Sequence, residues 1–333
     1  MRKQIEQTIK FKNQPKIIGS YAIVGPKEGE GNFREYFDYV MKKDHFGEKT
    51  FEKAERKMIE TAITGVIQKA KLMPKDIDIL ISGDLLNQIV SSSFAARAFH
   101  FPYLGVYGAC STLAESVAIA SILVDGGYCD NVVCCTGSHF STAERQYRFP
   151  LELGNQRPPT AQWTVTGAGS CVLSLKGDGP RVTMATFGKV VDWGIKDVNN
   201  MGAAMAPAAR DTLLAHLRNT STTPEDYDLI LTGDLGKLGS EILIDLMEDE
   251  GVTLGTNYGD CGQMYFKREQ KTLCGASGAG CCATVFNSYV MAKLRDGLYK
   301  KVLFLPTGAL LSTVSSQQGD TIPGVCHAIV VEA

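Results

Sequence analysis

No excess of either charge marks this chain. It has 34 Lys and Arg against 36 Asp and Glu, a formal net charge of −2. That balance gives no case for nucleic acid or an anionic membrane surface as a partner. No apolar stretch near Met1 has the pattern of a secretory leader. The longest apolar helical run, Val117–Val124, is far too short to cross a bilayer, so a soluble or at most peripheral protein is expected. The ten cysteines form no CxxC pair, and no Cys/His set has zinc-finger spacing. A structural metal is therefore not expected, nor is a resident cofactor. Without a leader, the cysteines are expected as reduced thiols. The chain also lacks a Pro/Ser-rich linker and a low-complexity tail.

What is present is an internal echo. Residues 110–142 and 281–313 align without gaps at an offset of 171. The matches include Cys110/Cys281, Leu123/Leu294, Asp125/Asp296, Gly126/Gly297, Tyr128/Tyr299, Thr136/Thr307 and Gly137/Gly308. A second echo, at offset 150, pairs Asp76–Leu85 with Asp226–Leu235 and Pro74 with Pro224. Two copies of one supersecondary unit in fixed order are implied. The expected division is 1–178 and 179–333, two similar halves packed as one body.

Strand and helix signals alternate, which predicts an α/β class with largely parallel sheets. Strands are expected at Ile17–Val24, Ile77–Ser82, Tyr103–Tyr107, Asn131–Cys135, Val165–Leu175, Leu229–Thr232, Val302–Leu305 and Ala328–Val331. Helices are expected at Phe51–Lys71, Ser92–His100, Ser111–Val124, Pro207–Leu217, Glu241–Glu250 and Thr284–Arg295, the fourth with its proline near the start. Ser138–Pro159 reads as a long polar connection, and Cys274–Cys282 as a Gly-rich loop.

Cys110 lies in Gly108-Ala109-Cys110-Ser111-Thr112, between a strand and a helix. A thiol there faces the positive end of a helix dipole, which favours thiolate and can activate a nucleophile. The alternative is a small buried thiol, which is common. Cys281 and Cys282 are expected to pack as core residues at the repeated helix start.

The duplication, the Gly-Ala-Cys-Ser elbow and Thr166-Gly-Ala-Gly169 before a strand together resemble the thiolase superfamily of condensing enzymes and thiolases. The resemblance implies a five-layer αβαβα fold of two pseudo-duplicated halves, a homodimer, and a reactive cysteine at Cys110. It also implies two partners that are not found. Where condensing enzymes carry a histidine after the strand Leu229–Thr232, this chain has Gly233-Asp234-Leu235. Where they carry Asn or His in the loop before the second helix, it has Cys274-Gly-Ala-Ser-Gly-Ala-Gly-Cys281. Acyl condensation needs such donors for the oxyanion or enolate, and an ionised Asp234 cannot donate.

Narrower runs are similar to a thiolase-like sporulation family of spore-forming Firmicutes, the stage V AD family. They are Gly83-Asp84-Leu85-Leu86-Asn87-Gln88, Gly108–Thr112, Ser138-His139, Thr142–Arg148, Met201–Ala208 and Pro323–His327. This resemblance implies a non-catalytic pocket that binds dipicolinic acid, with or without calcium. It implies work beside other stage V sporulation A proteins in moving that ligand into the forming spore and out at germination, peripheral to the spore inner membrane. A planar dianion suits a helix N-terminus, Arg forks and neutral donors. The candidate ligand-binding residues are Cys110, Ser138, His139, Arg145, Arg148, Asp84, Asn87 and Asp234. A solvated or paired surface loop is the alternative for Arg145 and Arg148, a satisfied structural histidine for His139, and capping for the two aspartates. An active acyltransferase using Cys110, with His139 or His327 as base, and a purely structural docking subunit are the other readings.

Overall fold

The computed structural model describes residues 7–147 and 157–333. Three apolar clusters mark three layers of helix around two layers of sheet. The helix Phe51–Lys69 is amphipathic. It is capped by Thr50, whose side chain accepts from Lys53 N, and it lays Met58, Ile59, Ala62, Ile63 and Val66 on the first sheet. The helices Met201–Thr220 and Gly236–Asp249 cover the second sheet from the other outer side. Between the sheets run Thr112–Asp125 and the helix beginning at Ala279. Both are apolar nearly all round, as a helix must be when both of its faces are covered by sheet. The result is a five-layer αβαβα body of the thiolase-like type.

The two halves repeat one strand order. The first runs Tyr103–Gly105, Ile79–Gly83, Asn131–Ser138, Gly167–Ser174, Lys16–Val24. The second runs Tyr258–Asp260, Leu229–Gly233, Lys301–Ala309, Ala328–Glu332, Arg181–Thr186. They join where Lys16 stands opposite Arg181. Each echo falls on equivalent elements. Asp78 and Asp228, 150 residues apart, each accept two backbone N–H groups at the turn into the neighbouring strand.

Three expectations need correction. The sheets are mixed, not largely parallel: within each five-strand order the three outer strands run parallel, and the other neighbours pair antiparallel. Apolar runs such as Ala328–Glu332 are buried on both faces, so they look like parallel strands whatever their direction. The predicted connection after Ser138 holds a helix, Phe140–Tyr147, whose polar sequence hid it. The helix Met201–Thr220 starts six residues before Pro207, at an Asn200 cap whose side chain accepts from Ala203 N.

Candidate functional site

Cys110 sits in a tight turn, Ala109–Ser111, that runs directly into the helix Thr112–Asp125. Ala109 has φ +50°, the left-handed region that non-glycine residues rarely occupy. Thr112 holds the turn: its hydroxyl donates to Ala109 O (2.6 Å) and accepts from Gly108 N (3.0 Å). The other half braces it. A Cβ on Gly308 would lie 2.1 Å from Gly108 O, so only glycine allows that approach. The Cys282 thiol donates to Cys110 O at 3.1 Å.

The Cys110 side chain is 8 % exposed, and its sulfur lies 3.8 Å from Ser277 Oγ. Burial, and then the carboxyl of Asp234, push the thiol well above its ordinary range. The protonated form therefore holds at neutral pH, and burial outweighs the helix end. The helix start alone had favoured thiolate.

Asp234 follows the strand Leu229–Gly233, and Ser277 lies in the Gly-rich segment before the helix that begins at Ala279. Asp234 has φ +72° and is fully buried. Neither carboxyl oxygen accepts a hydrogen bond from a nitrogen or hydroxyl. Burial, then Asp260, raise its pKa far up, with the Cys281 and Cys282 thiols beside it. Asp234 is thus a neutral acid, not the ionised group assumed from its residue type. Asp260 takes the capping work: it accepts from Leu235 N, Gly236 N, Gln263 N and Thr232 Oγ1 at 2.9–3.1 Å.

A cavity opens over Cys110, with Leu85, Glu144, Tyr147, Gln162, Thr164 and Ser277 in its wall. No described residue in that wall is Lys, Arg or His. Arg157 stands behind it, paired with Glu144 at 2.6 Å and donating to Gln162 O at 3.0 Å.

Of the sequence candidates among the described residues, Cys110 alone lines this cavity. Ser138 is buried just behind it, donating to Val165 O (2.8 Å) and accepting from Gly280 N (2.9 Å). His139 faces the Phe51–Lys69 side: its Nδ1 accepts from Ser141 N, so its Nε2 donates to Asp44 O (3.1 Å), and its ring packs on Phe51. Burial lowers its pKa, so it is neutral. Arg145 points outward and pairs with Glu52. Asp84 is buried and accepts from Leu86 N (2.8 Å) and Ser92 N (2.7 Å). Asn87 lines a separate surface groove. Arg148 lies outside the described residues. His327 is remote, with Nδ1 accepting from Gly188 N.

Sequence reasoning passed over Glu144, Tyr147, Gln162 and Ser277. Ser277 could have been found from its place in the Gly-rich loop. Glu144 and Tyr147, three residues apart, would have faced one way had the helix been recognised.

The fold matches solved condensing enzymes. One is a variant of OleA from Xanthomonas campestris, at TM-score 0.66 and 15% identity, covering 100% of this chain and 99% of that one. Another is the 3-oxoacyl-[acyl-carrier-protein] synthase III of Aquifex aeolicus, at TM-score 0.57 and 14% identity, covering 96% and 100%. Identities this low speak for the fold alone. Residues 5–332 match the family of stage V sporulation protein AD. The chain belongs to that family. The stage V sporulation protein AD of Bacillus subtilis is 43% identical over 327 residues, covering 98% of this chain and 97% of the relative. Among the described residues no helix is long and apolar enough to cross a membrane.

Proposed function

We propose that this member of the sporulation family is a non-catalytic binding protein for dipicolinic acid or its calcium chelate. Its cavity is the acyl-binding site of a condensing fold turned to holding a ligand. The observation that carries the reading is the wall around Cys110: the cavity persists, yet the thiol is protonated and no imidazole faces it among the described residues. A thiol without a base beside it is a poor nucleophile, so this wall supplies nothing to activate Cys110. His139 and His327, the two bases considered for an acyltransferase, are engaged elsewhere.

In this reading the protein acts in moving the ligand into the developing spore and releasing it on germination. It does so as a homodimer, peripheral to the inner membrane and held there by other stage V sporulation A proteins.

Calorimetric titration tests the binding. Wild type is expected to give saturable heat with dipicolinic acid, and Ala309→Phe, which puts a ring on the cavity wall, is expected to abolish it. Loss of the reading would follow from no heat with wild type, or from transfer of an acyl group from acyl-coenzyme A to Cys110. No heat and no acylation would leave the docking role.

A further inference from the structure

The hydrogen bonds of Thr142, on the helix Phe140–Tyr147, place a proton on Glu55 of the helix Phe51–Lys69. The Thr142 hydroxyl lies 2.6 Å from Glu55 Oε2 and 2.9 Å from His139 O. A carbonyl only accepts, and the hydroxyl has one hydrogen, which His139 O takes. The hydrogen in the shorter contact then comes from Glu55. Glu55 and Thr142 are 0 % and 3 % exposed, and Glu55 Oε1 has no partner among the described residues. Burial, and then the charge of Asp84, raise the Glu55 pKa well above 4.5. Asp84 is the charged member of the pair, since its two oxygens accept from Leu86 N and Ser92 N (2.8 and 2.7 Å).

The helix that Glu55 holds is part of the cavity wall. Ala143, Glu144 and Tyr147 line the space over Cys110. Leu85, next to Asp84, lines it too, and its carbonyl accepts from Gln146 Nε2 (3.0 Å) and Tyr147 Oη. Loss of the Glu55 proton puts a second buried carboxylate beside Asp84. Thr142 can then donate to Glu55 only by giving up His139 O. Like charges in a dry site repel, and each ion is costly to desolvate. The surrounding groups offer no counter-charge. Arg56 pairs with Glu60, and Lys53 on the same helix is exposed. Across from them, Arg145 pairs with Glu52, Arg157 with Glu144, and His139 is neutral. The helix Val90–Ala96 and the strand Ile79–Gly83 carry no charge. Tyr103 and Tyr107, both raised by burial, stay neutral. Glu28 reaches the start of the helix through Thr166, whose N donates to Glu28 and whose Oγ1 accepts from Phe140 N.

We propose that the Glu55 proton is a latch on the cavity. Bound, it fixes the helix Phe140–Tyr147 against Phe51–Lys69; its loss as pH rises releases that helix and opens the wall over Cys110. The closed form is fully held below pH 4.5, where the open form also keeps the proton, and weakens as the folded protein gives the proton up. The device does not depend on which ligand the cavity takes.

Trp163 reports the helix, because it stacks on Phe140 with ring centres 3.9 Å apart. The chain has two tryptophans, so whole-chain Trp193→Phe leaves Trp163 alone to emit. Fluorescence and hydrogen exchange in that background, between about pH 5 and 9, test the latch. As pH rises, Trp163 emission should shift to the red. Protection of the 140–147 amides should fall by about tenfold per pH unit relative to Glu55→Gln at the same pH. Glu55→Gln keeps a donor for Thr142 and should abolish the fluorescence transition. Glu28→Gln and Glu52→Gln, which remove the neighbouring carboxylates, should keep it. Thr142→Val removes the acceptor of the Glu55 proton and should move the transition to lower pH; it decides the matter if Glu55→Gln does not fold. A flat wild type overturns the proposal. So does a transition that survives Glu55→Gln, one that vanishes with Glu28→Gln or Glu52→Gln, or one that Thr142→Val leaves in place or moves upward.

Discussion

Asp84 and Asp234 stand at equivalent points of the two halves, one residue past a strand, yet only Asp84 is a working cap. Its carboxylate accepts two backbone N–H groups, whereas both oxygens of Asp234 lie among thiols without such a donor. Asp260 carries that load in the second half. Asp84→Asn turns an NH2 toward a backbone donor and is expected to cost about 1–3 kcal/mol. Asp234→Asn replaces one neutral group with another of the same shape and should stay within about 1 kcal/mol of wild type. Urea unfolding of both variants compares them directly. Equal losses would contradict the assignment of a neutral acid at Asp234.

Glu28 should make stability fall as pH rises. It is fully buried, and burial, only partly offset by a hydrogen bond from Thr166 N, lifts its pKa from 4.5 to about 8. The folded state therefore binds a proton that the unfolded chain has lost. The stability this supplies is complete below pH 4.5 and is lost as pH rises toward 8. The slope from this group is on the order of 1.4 kcal/mol per pH unit inside that window. Glu28→Gln keeps the acceptor for Thr166 and should remove the slope. Unfolding curves across pH 5–8 in wild type and variant measure the difference, and parallel curves would refute it.

Alkylation reports the state of Cys110. A protonated, buried thiol should react with iodoacetamide far more slowly than a free cysteine near neutral pH. Cys129 is the least buried of the ten and should label first. Peptide mass spectrometry gives the order. Preferential labelling of Cys110 would mean an activated nucleophile and would weaken the non-catalytic reading.

The elbow depends on Gly308 from the opposite half. Gly308→Ala puts a methyl group 2.1 Å from Gly108 O, which forces backbone movement. Overpacking of this kind costs about 1–3 kcal/mol. It should also displace Cys110 and weaken ligand binding, whereas Gly297→Ala, at an open turn position, should leave binding unchanged. Thermal unfolding with calorimetry of both variants separates the two effects.

The duplicated architecture was legible because the echo survives where packing is tightest, around Cys110/Cys281 and the two strand turns. Strand direction was not, because burial on both faces erases the alternation that marks an antiparallel strand. The elbow was legible from Gly108-Ala109-Cys110, but the rest of the cavity wall was not. Gln162 and Glu144 are distant from Cys110 in sequence and are brought to it by a helix too polar to be recognised and by the short strand Trp163–Thr164. The ionisation of Cys110 and Asp234 was also hidden, since burial sets it and residue type does not.

A crystal structure of the protein grown with calcium dipicolinate tests the central claim most directly. The account predicts the ligand in the cavity over Cys110, with no bond to the sulfur. A ligand bound elsewhere, an empty cavity, or an acyl group joined to Cys110 would contradict it.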